Sequence, residues 1–119
     1  MEQAILNYFE LEFAGGVSAA CVASFGRNLN TLHVNSERGW YELSPFQAYT
    51  GIKGRTSDGL NLNAKIPNQQ ARQMDDDASA ILDDTPLLTS GEEGLKDTRV
   101  VEAIYRSAAA GQKVNVGPI

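Results

Sequence analysis

SGEEGLKDTRVVEAIYRSAAAG, residues 90–111, is the best-specified stretch of the chain and decides what the rest must provide. Ser90 followed three residues later by Glu93 is a capping box: the hydroxyl accepts from an orphan helix N–H and the carboxylate reaches back to the cap. Glu92, Glu93 and Asp97 put negative charge near the positive end of the helix dipole, and Arg106 sits toward the negative end. Gly111 is placed to close the helix in a left-handed conformation. Between the caps Val101, Ile104, Tyr105 and Ala108 recur at helical spacing, with Val100 flanking them. Such a helix has to cover an apolar surface, and most of what precedes it reads as sheet.

Just before it lies a second helix. Pro67-Asn68 opens it, and it runs to about Asp83 with Ala71, Met74, Ala78, Ile81 and Leu82 as its apolar stripe. Thr85-Pro86 ends it, because proline cannot continue the hydrogen-bond ladder. Leu87-Leu88 then crosses to Ser90. Beyond Gly111, Gln112–Val116 is placed to add an edge strand.

Residues 4–65 alternate with the period of strands. In Ala4–Phe13 one side carries Ile5, Phe9, Leu11 and Phe13, and the other Tyr8, Glu10 and Glu12. Gly15-Gly16 has the composition of a tight two-residue hairpin. Val17–Phe25 returns with Val17, Ala19, Cys21, Ala23 and Phe25 on one face. Its other face carries Ser18, Ala20, Val22 and Ser24, small and weakly polar side chains on which a flat surface can pack closely. Asn30–Asn35 is a third strand, with Leu32 and Val34 inward and Thr31, His33 and Asn35 outward. Ser36-Glu37-Arg38-Gly39 turns the chain. Trp40–Leu43 is the fourth strand, and Pro45 stops it. Ala48–Gly54 and Gly59–Asn63 follow, joined by Arg55-Thr56-Ser57-Asp58. Strands followed by helices give an α+β domain: a mainly antiparallel sheet with two helices segregated on one face.

Size and charge bound the function. At 119 residues the expectation is one domain spanning residues 1–119. The net charge of −5 argues against nucleic acid or an anionic membrane as a partner. No apolar run approaches a bilayer's thickness. The opening MEQAILNYFE has no basic region before an apolar one, so no signal peptide is read. With Cys21 the only cysteine, no internal disulfide forms and a cytoplasmic location is expected. Cys21 itself reads as a buried small hydrophobe with no basic neighbour to activate it.

No constellation of residues carries chemistry. Gly51-Ile52-Lys53-Gly54-Arg55-Thr56 has glycines and a base, but no helix follows, so it is a sheet-edge turn and not a phosphate loop. His33, the only histidine, lacks converging metal ligands; Asn35 and Glu37 offer poor support. On the outer face of a strand it reads as a surface or interface residue, and a catalytic role would need a carboxylate on a neighbouring strand to orient it. Asp75-Asp76-Asp77 point about 100° apart on a helix and do not converge on a cation. Glu10 and Glu12 share a strand face but have no cleft to perturb them, so they read as surface charge. Trp40, Tyr41, Phe46 and Tyr49 are the densest aromatic group, with one face for the core and the other for a ligand or subunit contact. The residues therefore assign no catalytic, cofactor-binding or metal position. They mark Ser18, Ala20, Val22, Ser24 and His33 as an interface.

Three stretches together resemble a known family. GLKDTRVVEAIYRSAAAGQKVNV at 94–116 is similar to the C-terminal signature of the glucose-fructose oxidoreductase / inositol dehydrogenase / rhizopine catabolism (Gfo/Idh/MocA) oxidoreductases. VNSERGWYELSPFQAYTGIKGRTSDG at 34–59 resembles the ribbon of their C-terminal domain, closest to the glucose-fructose oxidoreductase-like branch, and LEFAGGVSAACVASFG at 11–26 the hairpin before it. The resemblance implies a two-domain enzyme, using NAD or NADP on a sugar or polyol, of which this is the second part. The family's N-terminal Rossmann fingerprint and its Glu-Lys-Pro motif have no counterpart in these residues. His33 lies downstream of the family's histidine, so no catalytic residue carries over. The implied roles are a wall of the substrate pocket and, through the open sheet face, a homodimer or larger self-assembly. The fragment by itself is expected to be inactive. The alternative is a stand-alone, non-enzymatic sheet module that dimerises or holds a sugar.

Overall fold

The computed structural model describes residues 6–65 and 67–117. Among the described residues seven strands precede two helices, so the α+β expectation holds, and every strand pair there is antiparallel. The chain divides into two compact units, Met1–Arg72 and Gln73–Ile119. The expected start of the first strand at Ala4 and Ile5 lies outside the described residues.

In the first unit the strands form three separate ladders. Strands β1 (Leu6–Glu12) and β2 (Ser18–Ser24) pair as a hairpin in which Tyr8 faces Val22 and Phe9 faces Cys21. The connection is one residue longer than the Gly15-Gly16 pair suggests. Phe13 and Val17 are still joined by Phe13 N to Val17 O at 2.8 Å, which leaves Ala14-Gly15-Gly16 as a three-residue loop. Strands β3 (Leu32–Ser36) and β4 (Gly39–Leu43) are joined by Glu37-Arg38, a two-residue loop that sets their register.

After β4 the sequence reading needs correction. Strand β5 is only Gly51–Ile52, paired with β7 (Ala64–Lys65), while β6 (Gly54–Thr56) joins β4. Lys53 divides them because its backbone is used elsewhere: its carbonyl accepts from Ser44 N at 2.7 Å and its N–H donates to Pro45 O at 3.3 Å. The stretch 59–63 is not a strand; it contributes a single bridge, Asn61 to Arg55. Asn30 staples the intervening loop. Its amide oxygen accepts from Phe46 N and Gln47 N at 3.0 and 2.9 Å, and its amide nitrogen donates to Gln47 O at 2.7 Å.

Helix α1 (Gln69–Asp83) starts where expected, with Asn68 Oδ1 accepting from Gln70 N and Ala71 N. Helix α2 (Gly91–Ala110) is capped as the sequence indicates: Ser90 Oγ accepts from Glu93 N at 3.4 Å, and Gly111 takes φ of 63°. The return half of the box differs, because the Glu93 carboxylate pairs with Lys96 Nζ at 2.6 Å. Glu92 is the acid that serves the cap. Its carboxyl is held below the ordinary range, first by its own backbone N–H and then by the Ser90 side chain.

Both apolar stripes turn out differently from the periodicity. On α1 Ala80 is buried, while Met74, Ile81 and Leu82 are exposed. On α2 the covered side runs through Val100, Ala103, Ile104 and Ser107, with Val101 and Tyr105 outside it, so the face is rotated toward small residues. Residues 112–116 form no edge strand. Their carbonyls are taken by helix side chains instead, Gln112 O by Ser107 Oγ at 2.8 Å and Asn115 O by Arg106 Nη2 at 3.3 Å.

Ser90→Ala is expected to cost about 1 kcal/mol, because it removes the acceptor for the first turn and a partner of Glu92. Urea unfolding followed by helical circular dichroism reads this directly. An unchanged midpoint would show that the cap contributes nothing.

Little of the chain is buried. Among the described residues only Ala80 and Ala103 are, and both belong to the second unit. Two separately compact units of these sizes would expose roughly 7,500 Å² by the usual scaling with mass. The chain exposes 10240 Å².

Candidate functional site

The hairpin presents two unlike faces. Phe9, Leu11, Ala19 and Cys21 are half-buried on one. The other joins the small residues of β2 to Leu6, Tyr8, Glu10 and Glu12 of β1 through the pairs Leu6–Ser24, Tyr8–Val22, Glu10–Ala20 and Glu12–Ser18. Leu6, Tyr8 and Val22 are 46%, 62% and 47% exposed there. The Tyr8 hydroxyl donates to Glu10 Oε1 at 2.9 Å. Its pKa is raised above the ordinary value, first because its proton is held in that bond and then by the Glu10 charge. Of the five interface candidates, Ser18, Ala20, Val22 and Ser24 share this face. His33 stands in the separate β3–β4–β6 ladder.

His33 does have the carboxylate that the sequence left unidentified. The register places Glu42 opposite His33, and Arg55 opposite Glu42 on its other side. His33 Nδ1 lies 3.6 Å from Glu42 Oε2, and Arg55 Nη2 lies 3.2 Å from Glu42 Oε1. The imidazole also stacks on Trp40 with centroids 5.6 Å apart and planes 26° apart, and the Arg55 guanidinium lies 5.6 Å from the Trp40 ring. His33 Nε2 is 3.2 Å from Asn35 Oδ1. Glu42 and Arg55 were the residues that sequence reasoning missed. The two-residue loop at Glu37-Arg38 could have found Glu42, since it forces residue 33 opposite residue 42. Arg55 was read as a turn residue and lies in β6.

The aromatic group splits as its alternation requires. Trp40 carries two stacked side chains, so its rings are not an open platform for a sugar. Tyr41 faces the other way and lines a shallow apolar concavity of about 420 Å³ with Leu43, Ile52, Leu62, Asn63 and Ala64, all in the first unit. Tyr49 is exposed and Phe46 half-buried.

The remaining candidates do not assemble. Gly51 and Gly54 lie in ladders and no helix follows them, so a dinucleotide cradle does not fit this stretch. Among the described residues no three His, Cys, Asp or Glu side chains could hold a metal ion. Cys21 is a half-buried free thiol opposite Phe9. No described helix is long and apolar enough to cross a membrane.

Residues 22–116 match the model of the oxidoreductase family's C-terminal alpha/beta domain, named for Gfo, Idh and MocA. The chain is also similar to a solved structure, the aldose-aldose oxidoreductase from Caulobacter crescentus complexed with glycerol. The two are 34% identical with a TM-score of 0.81, over 91% of this chain and 34% of that one. The chain thus spans about a third of the length of the protein it resembles.

Proposed function

The chain belongs to the Gfo/Idh/MocA oxidoreductase family, as its C-terminal domain, and on that premise we propose that it forms part of a longer NAD(P)-dependent sugar or polyol oxidoreductase. In that protein it walls part of the substrate pocket and supplies the subunit interface, and hydride transfer belongs to a dinucleotide domain outside these residues. The observation that carries this reading is the match over 91% of the chain to a third of an oxidoreductase that acts on aldoses. The apolar surface supports it. Leu6, Val22, Met74, Ile81, Leu82 and Leu88 are exposed side chains that a larger assembly would cover.

The interface is assigned to the hairpin face of Ser18, Ala20, Val22 and Ser24, with His33 at a second outward position. The small side chains let another backbone approach closely, and Leu6 and Tyr8 add apolar area. The concavity beside Tyr41 and Leu43 is the part of the sheet suited to a neighbouring element of the substrate domain.

Titrating the 119-residue chain with NAD or NADP in a calorimeter is expected to show no saturable heat, because the chain offers the cofactor no glycine-rich turn leading into a helix. Micromolar binding would overturn the assignment of cofactor binding to other residues. Fusing the chain to the N-terminal domain of a family member and recovering sugar-dependent NAD(P) reduction would support the domain's role directly.

A further inference from the structure

We propose that Asp58-Gly59 is a site of spontaneous backbone modification, the conversion of Asp58 to its isoaspartyl form, and that Thr56 controls it by holding both reacting groups. The pair is the only Asp-Gly in the sequence, and there is no Asn-Gly. Glycine matters here because the reaction is an attack by the following amide nitrogen on the aspartyl side chain, and a Cβ on that residue crowds the approach. At Gly59 the space is open, with nothing within 4 Å of an added Cβ. Both residues are exposed, so water reaches them.

The chemistry balances with water alone. Gly59 N bonds to Asp58 Cγ, the C–OH bond of the protonated carboxyl breaks, and the OH leaves as water with the amide hydrogen. The product is a cyclic imide, which water then opens. Addition at the side-chain carbonyl restores aspartate. Addition at the former main-chain carbonyl breaks that carbon's bond to nitrogen, and the chain then runs through Cβ and Cγ. The composition is unchanged, but the main chain is lengthened by a methylene.

The fold opposes the first step through Thr56. Gly59 N donates to Thr56 O at 3.1 Å, the bond that closes the turn, with Gly59 at φ of 87°. The imide nitrogen carries no hydrogen, so this bond has to break before the ring can close. The Thr56 hydroxyl holds the other reactant. It donates to Asp58 Oδ1 and accepts from Leu60 N at 3.0 Å, which fixes its direction. The Asp58 carboxyl lies below its ordinary range, first because of that hydroxyl, and the charged form has no OH to lose. Thr56 is itself fixed: its N–H donates to Leu60 O at 3.0 Å, and it faces Tyr41 in the β4–β6 ladder. Modification therefore waits on local opening of the turn. Its consequence falls on the returning chain, where Asn61 bridges to Arg55 and Leu62 N donates to Gly54 O at 2.8 Å. An added methylene at Asp58 puts these pairings out of register. Leu62, Asn63 and Ala64 then lose their place in the concavity beside Tyr41.

The test ages four samples of the 119-residue chain side by side: folded wild type, wild type unfolded in guanidinium, and folded T56V and T56S. Isoaspartate is read by methyl transfer from S-adenosylmethionine with an isoaspartyl methyltransferase, and is located by electron-transfer fragmentation of the peptide that carries Asp58. The unfolded chain should accumulate isoaspartate at Asp58 fastest and the folded wild type slowest. T56V should run several-fold faster than folded wild type, while T56S, which keeps the hydroxyl, should stay close to it. A folded wild type that reacts as fast as the unfolded chain overturns the control by Thr56, and so does a T56V rate no higher than wild type. Isoaspartate at other positions of the unfolded chain with none at Asp58 overturns the site itself. If T56V fails to fold by circular dichroism, T56A removes the same hydroxyl and is read in its place.

Discussion

Gly51→Val is expected to abolish the β5–β7 ladder and to lower stability by about 3 kcal/mol or more. Gly51 has φ of 127°, a conformation that residues with a Cβ rarely adopt. A Cβ at this position would also run into the carbonyl oxygen of Ala64, the residue next to its ladder partner Lys65 on the facing strand. That carbonyl is backbone on the opposite strand, so no side-chain rotation relieves the contact. Since β5 and β7 are two residues each, a local shift dissolves the pairing entirely. Ile52, Ala64 and the concavity they line go with it. Gly59→Ala separates the two causes. Gly59 has φ of 87° but nothing within 4 Å of an added Cβ, so only backbone strain remains and the loss should be about 1 kcal/mol. Urea denaturation of both variants gives the comparison. If the two midpoints fall equally, the clash with Ala64 has no energetic weight.

The same region shows what a sequence can and cannot disclose. The caps at Ser90, Asn68 and Gly111 are legible because each is settled by residues within one turn of the chain. The His33–Glu42 pairing is legible in principle, because a two-residue loop leaves only one register. Arg55 is not, because its place in β6 depends on where the backbone of Lys53 spends its hydrogen bonds, and those partners lie at Ser44 and Pro45. The helix faces fail for a related reason. Periodicity places large apolar groups at Val101 and Tyr105, whereas the buried position of the helix is Ala103. The tail at 112–116 has strand-like alternation, but its carbonyls are engaged by Ser107 and Arg106. For Arg55 and for the tail the deciding hydrogen bonds lie five to nine residues away, outside the alternation from which strands are read.

That the chain leaves so much apolar surface uncovered makes self-association the second large expected effect, and Val22→Glu its sharpest probe. Val22 is the largest side chain among the four small residues of the β2 face and is 47% exposed, opposite Tyr8. On that face Ala20 and Ser18 pair with Glu10 and Glu12, so a third carboxylate adds to charge already present. If two copies meet through this face in an isologous contact, each introduced carboxylate approaches its counterpart or the partner's acids. Like charges brought together in an interface cost several kcal/mol, so association should weaken by roughly a hundredfold or more. Sedimentation equilibrium at high protein concentration should show the wild-type chain as a dimer or larger species and V22E as a monomer. Val22→Ile, which keeps the face apolar, should leave association intact, and circular dichroism establishes that V22E still folds. A wild-type chain that is monomeric throughout would remove the interface from this domain. An associating V22E would move it to another surface, with the exposed helix residues Ile81, Leu82 and Tyr105 next in line.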